Sequence, residues 1–550
     1  LRVNNLGRRE RNIIDKAAVF GTTFWFGGLL SLMRLDREES DGKVWDEDRK
    51  KLRLNQVMMT LQSDDIVHFN PHTSVKNEIE FAFVQALEQQ HLLHQLDPDL
   101  RAKYHRMAAQ WLERHQEQFM GTIYDVLAHH HEQGGNRKKA GYYYFKAAER
   151  LQFRYHNEKA LQAYRHAMEL LEEDDAELVC ELLNALGNVC LMIGDVDKAL
   201  ESFEEIKYYA SIIQDRGWAG KAFLGLGQAH RSKGDYEDAI VLLDRAFLLF
   251  QEANDTKGLA DAMDDIGRVH WLKGDYGSYK EALGFYLKSL SLRRKIKDHG
   301  AIALSLVNIG NIHLSRGYVK EAEECYLESL EIRKRLSDLR AIAVSLNGLG
   351  SVYFEAGRNE RAIEVWDEAL KIVEEIGDRA MYAVVLNNLS QGYIKVDNLG
   401  QAVAYLNEAL ELAEEIHDRR TLADVHRNLA LVFVRMDETE KARVSCEKSL
   451  AIAEEIKSNL AIGQALKALA EIHALTLYAS NDEGEADKTA SECFQKAMNY
   501  LEEMGDELEY AKVLKSYGQF LIERGVSNKG RKLLSKSETI LSRLNPNRAA

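Results

Sequence analysis

Residues 310–350, GNIHLSRGYVKEAEECYLESLEIRKRLSDLRAIAVSLNGLG, begin and end on a glycine and contain one complete unit of an internal repeat. The position of these glycines, called the small slot below, recurs along the chain at steps of 40, 40, 43, 40, 40, 40 and 40 residues. A fixed period of this length is typical of a solenoid. Because only a small residue lets two helices cross closely, we expect a close helix crossing at each slot. The slot residues are Gly187, Gly227, Gly267, Gly310, Gly350, Ser390, Ala430 and Ala470.

A turn and a second small residue follow each slot, so each unit is predicted to be helix, turn, helix. The step of 43 residues is explained by Gly277-Ser278-Tyr279, which we expect to lengthen one turn. A ninth, diverged unit surrounds Gly518 after a step of 48 residues, and a polar insertion at 480–484 precedes it. The turns are marked by Gly194-Asp195, Gly234-Asp235, Gly274-Asp275, Gly317, Gly357 and Gly525, and the second small residues are Ala199, Ala239, Ala282, Ala322, Ala362, Ala402 and Ala442.

This pattern resembles the tetratricopeptide repeat in its 40-residue form. The features that match are the small slot, an aromatic residue three positions later, Gly-Asp in the turn, and Ala-x6-Ala/Ser-Leu in the second helix, as in Ala322 to Leu330. The resemblance implies an all-α, right-handed superhelical solenoid over residues 177–545. Only three prolines occur in the 550 residues and none lies in the repeats, which agrees with long uninterrupted helices.

The N-terminal part carries a second, separate resemblance. Residues 9–21, RERNIIDKAAVFG, are similar to the winged-helix segment of STAND-type signalling ATPases, and LAHHHEQGG at 127–135 is similar to their helical connector. Strand patterns at 66–69 and 79–83 would form the wing. We therefore predict a winged-helix-like α+β segment at 1–95 and a helical connector at 96–176. The apolar residues 17–33 are too few and too polar for a membrane span, and we expect them to form a buried helix-turn-helix.

The STAND resemblance implies a bacterial signalling protein, in which such regions are often joined to serine/threonine kinase or nucleotide cyclase domains. Because the chain begins with Leu1 inside a helical pattern, we expect it to be a fragment of a longer protein. It contains no G-x-x-x-x-G-K-[ST] loop, no kinase motif, no G-x-S-x-G and no H-E-x-x-H. We therefore predict no catalytic residue, no cofactor and no metal ligand in this chain.

Histidines offer a metal-site alternative, which we disfavour. His230, His270, His313 and His473 stand three residues after a small slot, where other units have an aromatic residue or cysteine. This points to a packing position, and successive units lie too far apart for one ion at bonding distance. Consecutive residues on a helix diverge by about 100°. We therefore expect residues 129–131, HHH, to pack or cap rather than bind a metal.

Polar residues recur directly after the small slot and three residues before it, and these two positions share one helical face. Amides on such a face can donate to and accept from the backbone of an extended peptide. We take them as a candidate concave peptide-binding face, while a merely solvated face remains an alternative. The candidates are Asn184, Asn188, Gln228, Asp264, Arg268, Asn311, Asn347, Ser351, Asn387, Gln391 and Arg427.

The net charge of −15 disfavours nucleic-acid and anionic-membrane partners, which require clustered Lys and Arg. Five cysteines without a C-x-x-C pair favour a reducing, cytoplasmic location. We predict a protein or peptide partner in the groove, contacts with upstream ATPase or kinase domains of the same polypeptide, and a possible homo-oligomer. Two alternatives remain open, a free-standing interaction scaffold and a winged-helix transcriptional regulator.

Overall fold

The computed structural model describes residues 2–38, 46–153, 156–273, 276–476 and 483–544. These residues form 26 α-helices and three β-strands. The chain divides into two compact units, residues 1–233 and 234–550. The boundaries predicted at 95/96 and 176/177 fall inside the first unit and stay predictions. Among the features expected from the sequence, the turn Gly274-Asp275 and residues 480–482 of the polar insertion lie outside the described residues.

The first unit begins with a mixed α and β region and continues as paired helices. Its elements are α1 (Arg8–Phe20), β1 (Thr23–Trp25), α2 (Phe26–Glu38), α3 (Glu47–Ser63), β2 (Val67–Asn70), β3 (Glu80–Phe83), α4 (Ala86–Gln95), α5 (Pro98–His115), α6 (Tyr124–Gln133), α7 (Arg137–Phe153), α8 (Asn157–Leu170), α9 (Ala176–Ile193), α10 (Val196–Ile213) and α11 (Arg216–Lys233).

A small antiparallel sheet, in the strand order β1-β3-β2, holds the N-terminal region together. The predicted strand pair β2 and β3 is confirmed. Residues 17–33 differ from the predicted helix-turn-helix, because β1 lies between the two helices and pairs with β3. The cause is local: Phe24 is fully buried, and the indole of Trp25 donates to Glu80 Oε2 at 3.0 Å. Aromatic residues of this kind favour a pleated, half-buried strand over a turn.

Among the described residues, one helical segment, Glu173–Ile193, is long and apolar enough to cross a membrane by length and composition alone. It contains α9, the first helix of the predicted repeats. Helix α9 packs against α8, α10 and α11, and its residues Val179, Leu182 and Leu183 are buried. A buried helix of a soluble repeat protein meets the same criteria of length and composition, so this segment is only weak evidence for a membrane span.

After its first helix, the second unit consists of helices in sequential pairs. Its helices are α12 (Tyr236–Glu252), α13 (Thr256–Lys273), α14 (Tyr276–Ile296), α15 (His299–Ser315), α16 (Val319–Leu336), α17 (Leu339–Glu355), α18 (Asn359–Ile376), α19 (Arg379–Lys395), α20 (Leu399–Glu415), α21 (Arg419–Arg435), α22 (Thr439–Glu455), α23 (Asn459–Thr476), α24 (Glu483–Met504), α25 (Glu507–Glu523) and α26 (Ser527–Leu544). The pairs run from α13 with α14 to α25 with α26. From α13 onward the odd-numbered helices, called the first helices below, carry the small slots and contact one another from pair to pair, as α19 contacts α21.

All eight small slots are buried, and where a pair of helices lies within one unit the slot is where the two helices cross, as predicted. A Cβ added to Gly310 would lie 3.0 Å from Cε2 of Tyr326, and one added to Gly350 would overlap the indole of Trp366. The turn glycines Gly317 and Gly357 have φ of 76° and 78°, a conformation that costs a side chain about 1–2 kcal/mol. The predicted repeats are therefore confirmed in packing and in turn geometry.

The insertion Gly277-Ser278-Tyr279 differs from its prediction. It does not lengthen the turn but forms part of α14, which has 21 residues where the equivalent helix of the next pair, α16, has 18. Tyr279 is only 5% exposed, so the added helical turn carries its own buried anchor. The glycine and serine suggested a longer loop, but the burial of Tyr279 stabilises a helix at this position.

Candidate functional site

The second unit closes on itself through its C-terminal helices. Lys512 on α25 places its Nζ 2.9 Å from Glu355 Oε1 at the end of α17, across 157 residues of sequence. Helix α25 also contacts α15, and the side chain of Leu544 lies against Gly317. Because each repeat adds a small rotation, first helices that are distant in sequence come to face one another.

This closure leaves two adjacent cavities of about 510 and 250 Å³ between the first helices, called the inner groove below. The larger cavity is lined mainly by α19, α21 and α23, and the smaller one by α15, α17 and α25. Both lie in the second unit. The side chains shared by the two cavities include Trp271, Ser315, Asn388, Gln391, Gln464 and Asp506.

Five of the eleven candidate residues line the inner groove. Asn387, Gln391 and Arg427 line the larger cavity. Asn311, Ser351 and again Gln391 line the smaller cavity. The structure thus brings together candidates from four consecutive first helices.

The other candidates lie elsewhere. Asn184, Asn188 and Gln228 are half-buried on α9 and α11 of the first unit. Asn347 accepts a hydrogen bond from Asn388, which itself lines the groove. Asp264 and Arg268 lie next to each other on α13, with Arg268 Nη2 3.7 Å from Asp264 Oδ2.

Asp264 belongs to a buried charged network. It is 3% exposed, and Arg293 Nη1 donates to its Oδ1 at 2.7 Å. Arg293 also donates to Asp261 at 2.8 Å and to the hydroxyl of Ser305 at 2.7 Å. Burial raises the pKa of Asp264 above its ordinary value, and Arg293 opposes that rise. The network crosslinks α13, α14 and α15, so Asp264 has a structural role whatever the groove binds.

Amide side chains link successive first helices in an arrangement called the amide ladder below. Asn388 Nδ2 donates to Asn347 Oδ1 at 2.8 Å, and Asn428 Nδ2 donates to Asn387 Oδ1 at 2.9 Å. The equivalent Asn308 donates to Asp264 Oδ2 at 3.1 Å. Sequence reasoning did not select these donors, although they stand at one fixed position, two residues before the small slot. That periodicity is the signal that would have identified them.

The groove carries ionisable groups of both signs. Lys273, Arg420, Arg427 and Lys457 line the larger cavity, together with Asp424, which accepts from Arg427 Nη2 at 3.1 Å. Carboxylates line the smaller cavity at Glu355 and Glu509. Lys512 donates to both of them, at 2.9 and 2.7 Å. Burial raises the pKa of Glu509, but Lys512, assisted by Lys467 and Arg427, outweighs burial and leaves that pKa below its ordinary value.

His105, His130 and His131 are packed in the helical core, whereas the neighbouring His129 is exposed. His130 is 1% exposed, and its Nδ1 lies 3.0 Å from Nδ1 of His105. Burial lowers the pKa of both imidazoles, which keeps them neutral. His131 bonds to Glu113 Oε1 at 3.0 Å and stacks on Tyr143. Within the part of the chain that the structure describes, no group of three or more His, Cys, Asp or Glu side chains has a geometry that could hold a metal ion.

Comparison with protein families identifies the repeats. The family model described as the tetratricopeptide repeat matches residues 218–278, 277–335 and 341–415. The chain therefore carries tetratricopeptide repeats, as the small slot and turn pattern predicted. No curated protein sequence gives a significant match.

Solved structures with the same kind of fold are distant in sequence. A Rap protein complexed with competence and sporulation factor is 12% identical, covers 68% of this chain and 99% of its own, and has a TM-score of 0.50. A STAND protein with a tetratricopeptide repeat sensor, PH0952 from Pyrococcus horikoshii, is 15% identical over 91% of this chain, with a TM-score of 0.42. This chain spans 64% of that protein's length. BtubC from P. vanneervenii is 22% identical over 40% of this chain and 90% of its own, with a TM-score of 0.33.

Proposed function

We propose that the inner groove binds a short segment of peptide or protein, and that the chain is the sensor and regulatory region of a bacterial signalling protein. Its nucleotide-binding and output domains would then lie outside this chain. One observation carries the proposal: Asn388, Gln391 and Gln464 line both cavities together with Trp271, so their side-chain amides lie where the two cavities adjoin. Binding, rather than catalysis, is the role that we infer for this chain.

Amides suit an extended backbone because each one can donate to a carbonyl and accept from an N–H. Trp271 adds a large apolar surface with a polar edge, which is the usual anchor of a recognition site. The groove opens between first helices that the amide ladder holds at fixed spacing. A ligand would therefore meet preorganised partners, which lowers the entropic cost of binding.

Three further observations, made outside the inner groove, support the proposal. The Rap protein of similar fold was solved in complex with competence and sporulation factor, so one protein of similar fold binds such a factor. Helices α1–α3 and the three-stranded sheet fit the predicted winged-helix-like segment. All five cysteines are described and free, and Cys180, Cys190 and Cys446 are buried. This pattern fits a cytoplasmic location.

The test is binding of a random library of linear hexapeptides to the purified full chain, with retained peptides quantified by mass spectrometry. We expect retention by the native chain and loss of about tenfold or more in the double variant Gln391→Ala/Gln464→Ala, because two polar contacts disappear. Gln251→Ala is the matched control, since Gln251 is exposed on α12. All three chains should melt at similar temperatures, because none of these side chains is fully buried.

Equal retention by the native chain and the double variant would contradict the groove assignment. Absence of any retained peptide from the native chain would contradict the proposed function itself.

A further inference from the structure

The charges of the inner groove are separated between its two cavities. The larger cavity alone is lined by the four cations Lys273, Arg420, Arg427 and Lys457, with Asp424 as its own carboxylate. The smaller cavity is lined by Glu355 and Glu509 and by no Lys, Arg or His among the described residues. Asp506 lines both cavities. A ligand that spans the groove therefore meets an acidic end and a basic end.

Asp506 is the carboxylate that a ligand would reach at the acidic end. It is 4% exposed, and its Oδ1 accepts the backbone N–H of Glu509 at 2.9 Å as the N-cap of α25. Its Oδ2 has no hydrogen bond to any described residue, and the carboxylate forms no ion pair within the described ranges. Lys512, the nearest cation on α25, is engaged by Glu355 and Glu509 instead. One oxygen of a buried carboxylate is thus open to the groove.

We propose that the acidic end of the groove selects a ligand with a cationic group, and that Asp506 is its counter-ion. The ligand is a short linear peptide whose free amino terminus, or a Lys or Arg side chain near it, sits at Asp506. Its carboxylate end then lies toward Arg420 and Lys457. This inference rests on the proposed function, because it names the chemistry of the peptide that the same groove would bind.

Electrostatics favour this occupant over a neutral one. A buried carboxylate without a partner is costly, and a charge-assisted hydrogen bond from an ammonium or guanidinium offsets that cost. An anionic group at the same position would face Asp506, Glu355 and Glu509 together. The cations that oppose these carboxylates are Lys512, which Glu355 and Glu509 already engage, and Lys467 and Arg427, which act on Glu509. The direction of the bound peptide follows from the same charges, since its two termini carry opposite signs.

The titration of Asp506 reflects the cost of its unpaired charge. Burial, assisted by the nearby Glu509 and Glu355 and opposed by Lys512, raises the pKa of Asp506 to about 7. The buried hydroxyl of Tyr279 also lies close enough for Asp506 to raise its pKa. A bound cation favours the ionised carboxylate and would lower the pKa of Asp506 again. Affinity for cationic peptides is therefore expected to fall as the pH decreases below about 7.

The test uses the random hexapeptide library in three forms: with a free amino terminus, with an acetylated terminus, and acetylated without Lys or Arg. The purified full chain, its Asp506→Asn variant and its Glu503→Gln variant are compared at pH 8. Asparagine caps helices as well as aspartate does, so Asp506→Asn removes the charge and keeps the cap. Glu503 is exposed on α24, and Glu503→Gln matches the change of charge outside the groove.

We expect the native chain and Glu503→Gln to retain free-amine peptides at least about tenfold better than the acetylated library without Lys and Arg. Asp506→Asn should lose that preference, and at pH 6 the native chain should lose most of it. If, within the acetylated library that still contains Lys and Arg, the native chain retains peptides with these residues better than peptides without them, the cationic group at Asp506 is a side chain rather than the amino terminus.

Two results would overturn the inference, and they are distinguishable. Peptides retained without preference for a cation, or a preference unchanged in Asp506→Asn, contradict this inference and leave the proposed function standing. No peptide retained in any form contradicts both.

Discussion

The repeats around Gly310 and Gly350 differ from those around Ser390 and Ala430 in how they fill the same helix crossing. In the earlier pair, the glycine faces a large ring on the second helix, Tyr326 or Trp366, and each ring is 1% exposed. In the later pair, the position equivalent to the ring, four residues after the second small residue, holds Leu406 or Cys446, both fully buried. All four crossings are buried, although the side chains on the two helices are of very different size.

This difference indicates that the slot residue and the residue facing it compensate each other in size: a ring faces glycine, and a smaller side chain faces serine or alanine. Interiors are close-packed, so one added methyl group on one side needs space on the other. A glycine slot is therefore required only where the opposite helix supplies a ring. Substitutions of the slot residue, of the facing residue, or of both test this size compensation.

The largest effect is expected from Gly350→Leu. The added side chain would collide with Trp366, and overpacking of a filled site costs about 3 kcal/mol or more. Gly310→Leu should act in the same way against Tyr326. The measurement is thermal unfolding of the full chain followed by circular dichroism. Gly400→Leu is the matched control, because a Cβ at exposed Gly400 meets nothing within 4 Å. Similar melting of Gly350→Leu and Gly400→Leu would contradict the repeat register.

A smaller effect is expected when both sides of one crossing are changed. Gly350→Ala alone should destabilise the chain by about 1–3 kcal/mol, because its Cβ overlaps the indole of Trp366. In a Trp366→Leu background the same change should cost far less, since leucine is the residue that faces Ser390. Urea unfolding of the two single variants and the double variant measures the coupling energy, expected at about 1 kcal/mol or more. Additive effects would mean that the two residues do not compensate each other in size.

The sequence predicted most of this repeat geometry because one chemical requirement recurs at one period. Gly310, Gly317 and Ala322 could be read as slot, turn and second small residue without reference to any distant residue. The insertion at Gly277 was read as a longer turn because its residue types favour loops, while the burial of Tyr279 decides for a helix. Likewise β1 forms because Thr23-Phe24-Trp25 pairs with a strand more than fifty residues later.

The candidate site was predictable in part for the same reason. Gln391 and Asn311 stand at a periodic polar position and do line the groove. Asp506 does stand at a periodic position, the helix N-cap twelve residues before the slot, as Asp338 and Asp378 do. Nothing in that period places it in the groove, because only the small rotations of many repeats bring α25 to α17, where Lys512 contacts Glu355. Whether the unit closes in this way depends on the helix-crossing angles of all its repeats together. A local sequence pattern does not reveal these angles, so the acidic end of the groove could not be predicted from the sequence.

The smallest effect is expected at Ala430, where only the small side of a crossing changes. Ala430→Gly removes one buried methyl group and raises the backbone entropy of the unfolded chain, so it should destabilise the protein by about 1–2 kcal/mol. The added variant Cys446→Phe tests whether the vacated space is the space that a ring occupies in the earlier repeats. If the two residues compensate each other in size, Cys446→Phe should be better tolerated in the Ala430→Gly background than in the native chain, by about 1 kcal/mol in urea unfolding. Equal tolerance in both backgrounds would show that the later crossings are set by their own backbone spacing, and the exchange of glycine and ring would then be a property of the earlier repeats alone.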